Sequence, residues 1–317
     1  MVKDFISLAD YTGAEIVAFL NLADELKRLQ KNGRPHKLLE GKTLALIFEK
    51  PSLRTRLTFQ LGMFQLGGFA LLMDTRLGER ESVPDVARNL ERWVDGIMAR
   101  TFRHEHVVQL AQCASIPVIN ALTDKLHPCQ ILADAQTLRE HKGSDLSSLK
   151  VAFVGDGNNV FHSWANFASR VPLNLTLVCP EGYEGDPEIT GRVAKEAKGE
   201  FVITHDPVSG LKDADVVYTD VWASMGQEEE TALREKIFAP YQVNAKLMGL
   251  AKPDALFMHC LPAHRGHEVS DEVIDGPNSV CFDQAENRLH AQKAVLASLL
   301  RGDRVLHMFS ELKHTKG

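Results

Sequence analysis

The segment Glu49-Lys50-Pro51-Ser52-Leu53-Arg54-Thr55-Arg56 concentrates donors suited to an anion. It follows the apolar run Thr43 to Phe48 and opens the helical spacing of Leu57, Phe59, Leu61 and Phe64. A helix start offers unpaired N–H groups and the positive end of the dipole; Arg54 adds a two-pronged charged donor, and Ser52 and Thr55 add hydroxyls. The same residues also describe an ordinary N-cap followed by solvated arginines, and the segment alone fits both. Arg100 closes the run Gly96 to Ala99 and projects from the carboxyl edge of a sheet, where open α/β folds bind ligands; taken singly it is equally a rim charge. In His127-Pro128-Cys129-Gln130, Pro128 suits a first helical turn, so His127 and Gln130 can both donate to one small carbonyl group, or His127 can simply cap.

The second half of the chain holds another set. Gly155-Asp156-Gly157-Asn158-Asn159 follows a strand and precedes a helix, as in a nucleotide-binding turn, which keeps a nucleotide-dependent oxidoreductase in view. The pattern is incomplete: Val160 and Phe161 stand where a third glycine belongs, and no acidic residue ends the next strand, Leu175 to Cys179. Asn159 is better read as a side chain that reads a polar substrate. Asp220 can hold an ammonium group, and Ser224-Met225-Gly226 can present a hydroxyl and backbone donors to a carboxylate. Cys260, in His259-Cys260-Leu261-Pro262, is either a contact for a reacting amine or a structural thiol. Arg288, at the start of the last helix, is a third anion ligand or a surface charge.

These residues need rigid elements behind them. Apolar runs alternate with amphipathic ones along the chain, the mark of α/β architecture with mainly parallel sheets. Thr12-Gly13-Ala14-Glu15 has the capping-box form, with Ile16, Phe19, Leu20, Ala23 and Leu26 following at helical spacing. Strands are expected at Thr43 to Phe48, Phe69 to Met73, Gly96 to Ala99 and Val118 to Asn120, and a helix from Pro128 to Lys142. A second series is expected at Lys150 to Val154, Asn174 to Val178, Phe201 to Thr204, Val216 to Tyr218, Leu256 to His259 and Val280 to Phe282. The reading is therefore two lobes, 1–145 and 146–317, each a mainly parallel sheet flanked by helices, with a final helix from about 285 to 312 packing back on the first lobe.

Composition narrows the classes. With 36 basic and 42 acidic residues the formal charge is -6, so no overall field favours nucleic acid or an anionic membrane. Five cysteines, Cys113, Cys129, Cys179, Cys260 and Cys281, contain no C-x-x-C pair, which argues against a disulfide framework and a structural zinc site. With no signal-like N-terminus and no long apolar stretch, the expectation is a cytoplasmic protein.

Taken in order, the motifs resemble the carbamoyltransferase family, and within it the ornithine branch. Ser52-Leu53-Arg54-Thr55-Arg56 is similar to the family's S-T-R-T-R segment; His127-Pro128-Cys129-Gln130, Asp220 with Ser224-Met225-Gly226, and His259-Cys260-Leu261-Pro262 match the ornithine-type motifs. The resemblance implies that Ser52, Leu53 through its backbone, Arg54, Thr55 and Arg100 hold the phosphate of carbamoyl phosphate. It places the carbonyl oxygen by Thr55, Arg100 and His127, and the carbamoyl NH2 by Gln130, Arg288 and the main chain at Cys260 and Leu261. Asn159, Asp220, Ser224 and Met225 are implied for L-ornithine, with Asp220 and Cys260 near the reacting amine. Putrescine lacks the carboxylate for the Ser224 loop, and acetylornithine lacks the charge for Asp220, so both fit less well. Leu53 departs from the usual Thr and removes a hydroxyl contact of about 0.5 to 1.5 kcal/mol. The resemblance further implies no metal or organic cofactor, a homotrimer or assembly of trimers, and a contribution from Arg76 to a neighbouring subunit's site.

Overall fold

The computed structural model describes residues 2–73, 75–223 and 230–302. The chain divides into two units: one runs to Gln136 and resumes at Glu286, and the other spans Thr137–Ala285. The first unit contains α1 (Gly13–Lys31), β1 (Thr43–Phe48), α2 (Leu53–Gln65), β2 (Phe69–Met73), α3 (Val83–Leu90), β3 (Gly96–Arg100), α4 (His104–Cys113), β4 (Val118–Leu122) and most of α5 (Pro128–Lys142). The second contains β5 (Lys150–Val154), α6 (Asn159–Ala168), β6 (Asn174–Val178), α7 (Pro187–Glu196), β7 (Phe201–Thr204), α8 (Pro207–Leu211), β8 (Val216–Thr219), α9 (Thr231–Phe238), α10 (Ala245–Met248), β9 (Leu256–His259) and α11 (Asp271–Ile274). Helix α12 (Cys281–Arg301) starts in the second unit and continues in the first.

Both sheets are parallel throughout, ordered β2-β1-β3-β4 and β7-β6-β5-β8-β9. Helical crossovers cover both faces, so central strands are apolar in continuous runs: Leu44 through Phe48 and Val151 through Val154 are buried. In each sheet the strand order reverses direction beside the first strand, between β1 and β3 and between β5 and β8. Crevices at the carboxyl ends of such reversals are where open α/β sheets take ligands.

Local chemistry explains the helix starts. Thr12 and Glu15 form the expected reciprocal capping box at α1, and Ile16, Phe19, Leu20, Ala23 and Leu26 are its buried face. Strand bounds follow the expected runs, with β3, β4 and β8 continuing slightly further, to Arg100, Leu122 and Thr219. One expected strand is absent: Val280 to Phe282 enters α12 instead. Pairing there is a single bridge from Ser279 to Phe257, and the Val280 carbonyl already accepts from the Gln284 N–H (2.9 Å), the first helical bond. The final helix accordingly begins at Cys281 rather than Ala285. A three-residue apolar run has too little length for its periodicity to separate a strand from a helix start. The expected extension of this helix beyond 302 lies outside the described residues.

Candidate active site

In the first unit, β1 and β3 pair in register so that Phe48 stands beside Arg100. The chain leaving β1 turns into α2 with Ser52 as N-cap. Thr12, Ser82, Asp186 and Asp206 all accept from their own helices, but the Ser52 side chain makes no capping bond. Its hydroxyl is thus not committed to the helix it starts. Leu53, next in line, exposes 70% of its surface.

Thr55 is buried at the centre of a donor cluster. Its Oγ1 accepts from Arg100 Nη1 (3.3 Å) and Arg288 Nη2 (3.0 Å). Arg288 Nη1 donates to Gln130 Oε1 (2.6 Å), and Gln130 Nε2 donates to the buried Asp134 carboxylate (2.7 Å). Gln130 is thereby oriented by both ends of its amide. His127 is buried beside this network, and its pKa is driven well below the usual histidine value by burial and then by Arg288, Arg100 and Arg54. Its ring is neutral at pH 7, able to donate from one nitrogen. Four separate stretches of sequence, around residues 54, 100, 127 and 288, therefore converge on one positively charged locus. Such a locus suits a phosphate attached to a carbonyl group.

Glu49 supports this cluster and was not among the residues singled out from sequence. Its two carboxylate oxygens accept from the Leu77 N–H (3.0 Å) and the Phe102 N–H (2.7 Å). It fixes the turn after Arg100 and the segment that follows β2. Arg76, on that segment, is exposed, pairs with Glu79 (3.1 Å) and lines the same open pocket as Ser52 and Lys50.

In the second unit, strand register does the assembling. Val154 pairs with Thr219, and Thr219 with His259, so Gly155, Asp220 and Cys260 emerge side by side one residue later. Asp220 is buried and accepts from Asn158 Nδ2 (2.8 Å) and from the Cys260 thiol (3.0 Å). Asn158 also caps α6 by accepting from the N–H groups of Val160 and Phe161. The amide bonded to Asp220 is thus Asn158; Asn159, expected from sequence to read a polar substrate, is the first residue of α6 and half-buried. An Asn immediately before a helix is a cap signal, and this could have pointed to Asn158. Ser224 and Met225 lie outside the described residues.

The turn after β9 is held by a buried pair. His259 Nε2 is 3.2 Å from Glu268 Oε1, and its Nδ1 accepts from the Leu261 N–H (2.9 Å). Leu261 has φ +57°, the left-handed region that non-glycine residues rarely take, and it keeps that conformation within this network. Among the described residues Asp220, His259 and Cys260 form the one group spaced to hold a metal ion. Both His259 nitrogens already have partners, Glu268 and the Leu261 N–H, and the Cys260 thiol donates to Asp220, so each of the three is engaged in a hydrogen bond of the protein.

The glycine turn is filled by protein. Gly157 N–H donates to Tyr183 O (2.9 Å), and a side chain at Gly157 would run into the backbone of Glu184 and Gly185. The first donors of α6, which a nucleotide pyrophosphate would need, are taken by Asn158. The oxidoreductase reading therefore loses its binding turn.

Two parallel, doubly wound units, one with a cluster of arginines and a histidine and one with an acid–amide–thiol group, define the class of the protein as an α/β enzyme with a positively charged locus in one unit and a carboxylate-centred one in the other. A family model described as the aspartate/ornithine carbamoyltransferase carbamoyl-P binding domain matches residues 3–140, and another, described as the Asp/Orn binding domain, matches residues 147–299. The chain belongs to the aspartate/ornithine carbamoyltransferase family. It is 54% identical to an ornithine carbamoyltransferase of Thermococcus kodakarensis, over 96% of this chain and 98% of that protein. It is also 54% identical to an anabolic ornithine carbamoyltransferase of Pyrococcus furiosus, over 95% and 97%. Among solved structures, the ornithine carbamoyltransferase from Pyrococcus furiosus superposes with a TM-score of 0.91 at 54% identity, covering 94% of this chain and 97% of that one. The ornithine transcarbamoylase of Giardia lamblia, only 32% identical, reaches 0.86 with 94% and 98% covered.

Proposed function

We propose that the protein transfers the carbamoyl group of carbamoyl phosphate to the side-chain amine of L-ornithine, giving L-citrulline and phosphate. The observation that carries this reading is the Thr55 network with Arg100, Arg288 and Gln130 beside a neutral His127; all but Arg288 lie inside the region matched as carbamoyl-P binding. We take the 1–145 domain as the donor-binding part and the 146–317 domain as the acceptor-binding part, with the final helix returning Arg288 to the donor.

The neutral amine attacks the carbonyl carbon, a C–N bond forms, and the tetrahedral intermediate breaks its C–O bond to release phosphate, which takes up the proton that the attacking nitrogen loses. Ser52, Arg54, Thr55, Arg100 and the Leu53 N–H hold the phosphate and offset the charge it gains on leaving. His127, with Arg100 and Thr55, meets the carbonyl oxygen as it becomes an oxyanion. Because the imidazole is neutral, it helps by donating a hydrogen bond. Gln130, held in place by Arg288, and main-chain carbonyls at Cys260 and Leu261 accept from and orient the carbamoyl NH2. Asn159, Asp220, Ser224 and Met225 hold ornithine. A side-chain amine of pKa about 10.4 must lose its proton before attack, and Asp220 and Cys260 are assigned to that end of the substrate. The activation resides in the mixed anhydride of the donor, so this scheme calls on no cofactor.

We further propose a homotrimer, or an assembly of trimers, in which Arg76 serves a neighbouring subunit. Leu53, Leu57, Leu61 and Phe64 form an exposed apolar stripe along α2, and Phe69 and Leu71 are exposed on β2, an edge strand; such a patch marks an interface. No described helix is long and apolar enough to cross a membrane. A cytoplasmic location is our reading of five cysteines, none of them in a disulfide.

The test is product formation from carbamoyl phosphate with ornithine, putrescine, acetylornithine or aspartate at matched concentrations. Strong preference for ornithine is expected. Preference for another acceptor overturns the assignment of Asp220 and the Ser224 loop, and no product with any acceptor overturns carbamoyl transfer itself.

A further inference from the structure

The seam between α2 and α12 holds a lysine that the transfer chemistry leaves unused. Lys293 is fully buried. Its ammonium donates to Gln30 Oε1 (2.7 Å) and Gln65 Oε1 (3.0 Å) and stands 3.1 Å from His36 Nε2. His36 Nδ1 lies 3.0 Å from the Arg34 carbonyl, which keeps the ring proton on Nδ1 and leaves Nε2 to accept. All three partners are therefore neutral. A buried cation held only by neutral acceptors costs stability, and burial lowers the ammonium's pKa to about 8. An unbranched apolar side chain would fill the same space without that penalty. What the ammonium adds is direction: three fixed bonds that apolar packing cannot replace.

Those bonds reach the ends of elements. Gln65 is the last residue of α2, Gln30 lies in the last turn of α1, and His36 is in the segment beyond it. Five residues earlier on α12, Arg288 reaches Thr55 in the first turn of α2 and Gln130 on α5. Helix α12 is thus joined to both ends of α2. Between the two joints, Gln292 donates to Thr58 Oγ1 (2.6 Å) and accepts from Arg288 in the amide orientation that satisfies both its atoms. The helices approach closely here, since a Cβ placed on Gly62 would lie 3.3 Å from Lys293 Cγ. A slide along this seam would carry Arg288 away from Thr55, and ligand sites are sensitive to shifts of about 1 Å.

We propose that Lys293 is a positioning residue for the carbamoyl-phosphate site: by tying α12 to the far end of α2, it sets where Arg288 meets Thr55 and Gln130. The inference rests on the carbamoyl-transfer reading above, and Lys293 itself touches neither substrate. Replacing Lys293→Met keeps volume and removes the bonds. The KM for carbamoyl phosphate is expected to rise roughly tenfold, with kcat within about twofold and the KM for ornithine unchanged. Gln65→Leu, at a half-buried position, removes one bond and should raise the same KM by about threefold. If both variants lower Tm while the KM for carbamoyl phosphate stays at the parent value, Lys293 has only a stabilising role and the proposal fails. Should Lys293→Met not fold, the KM of Gln65→Leu decides alone. Failure of the parent protein to make citrulline would instead sink the transfer reading, so the two failures are distinct.

Discussion

At the scale of single residues, Thr55 accepts from two guanidinium groups through one small hydroxyl. Thr55→Val keeps the shape but removes the shared acceptor, leaving Arg100 and Arg288 without that partner. We expect the KM for carbamoyl phosphate to rise about tenfold or more and stability to fall by about 1 to 3 kcal/mol. Steady-state kinetics and a denaturant titration check both, and an unchanged KM would remove Thr55 from the donor site. The members of the cluster that the structure brings together, Arg54, Thr55, Arg100, His127, Gln130 and Arg288, could each be singled out in sequence because Arg, His, Gln and Thr at element boundaries are few, and each had a chemical reason to be there. Their partners were not. Asp134 orients Gln130 from one turn along the same helix, and Asn158, rather than Asn159, faces Asp220. Neighbouring polar residues look alike in sequence, and only backbone geometry decides which one bonds to the carboxylate.

At the scale of elements, parallel register does what motif reading cannot. Asp220 and Cys260 are 40 positions apart and meet because Thr219 pairs with His259. The turn after β5 completes the group, held in place by the close approach of Gly157 to Gly185. In Gly157→Ala the new methyl group meets backbone, which must shift at a cost of about 1 to 3 kcal/mol. Because Asn158 follows directly, the KM for ornithine should rise while that for carbamoyl phosphate holds. Equal rises in both would mean the turn serves general stability instead. Most strands were legible from continuous apolar runs bounded by polar turns, whereas Val280 to Phe282 was misread because apolar residues also open a buried helix.

At the scale of the whole molecule, buried histidines make stability depend on pH. His290 is almost fully buried, and burial, followed by the charges of Lys293 and Lys27, lowers its pKa to about 3. Its unfolded value is about 6.5, so between these limits the unfolded chain binds more protons. The stability it allows is complete above about pH 6.5 and lost as pH falls toward 3. His290→Leu should therefore move the midpoint of acid unfolding downward, by about half a pH unit or more. An unmoved midpoint would show that other groups govern acid unfolding. The exposed stripe on α2 bears on the proposed assembly: if the protein forms the proposed trimer, Phe64→Glu should shift sedimentation toward smaller species, and unaltered sedimentation would place the interface elsewhere.

Sequence by itself determined the elements and the chemical types available, because apolar periodicity, helix caps and the positions of charged residues are local properties of the chain. It also singled out candidate residues just past the ends of parallel strands, where open α/β sheets take ligands. Only the tertiary structure decided which groups share a proton or an oxygen atom. The return of α12 brings Arg288 to Thr55 and Lys293 to Gln65, across separations of more than two hundred residues. Local patterns carry no record of such distant pairings; they arise when whole elements pack, and packing settles the register of one helix against another.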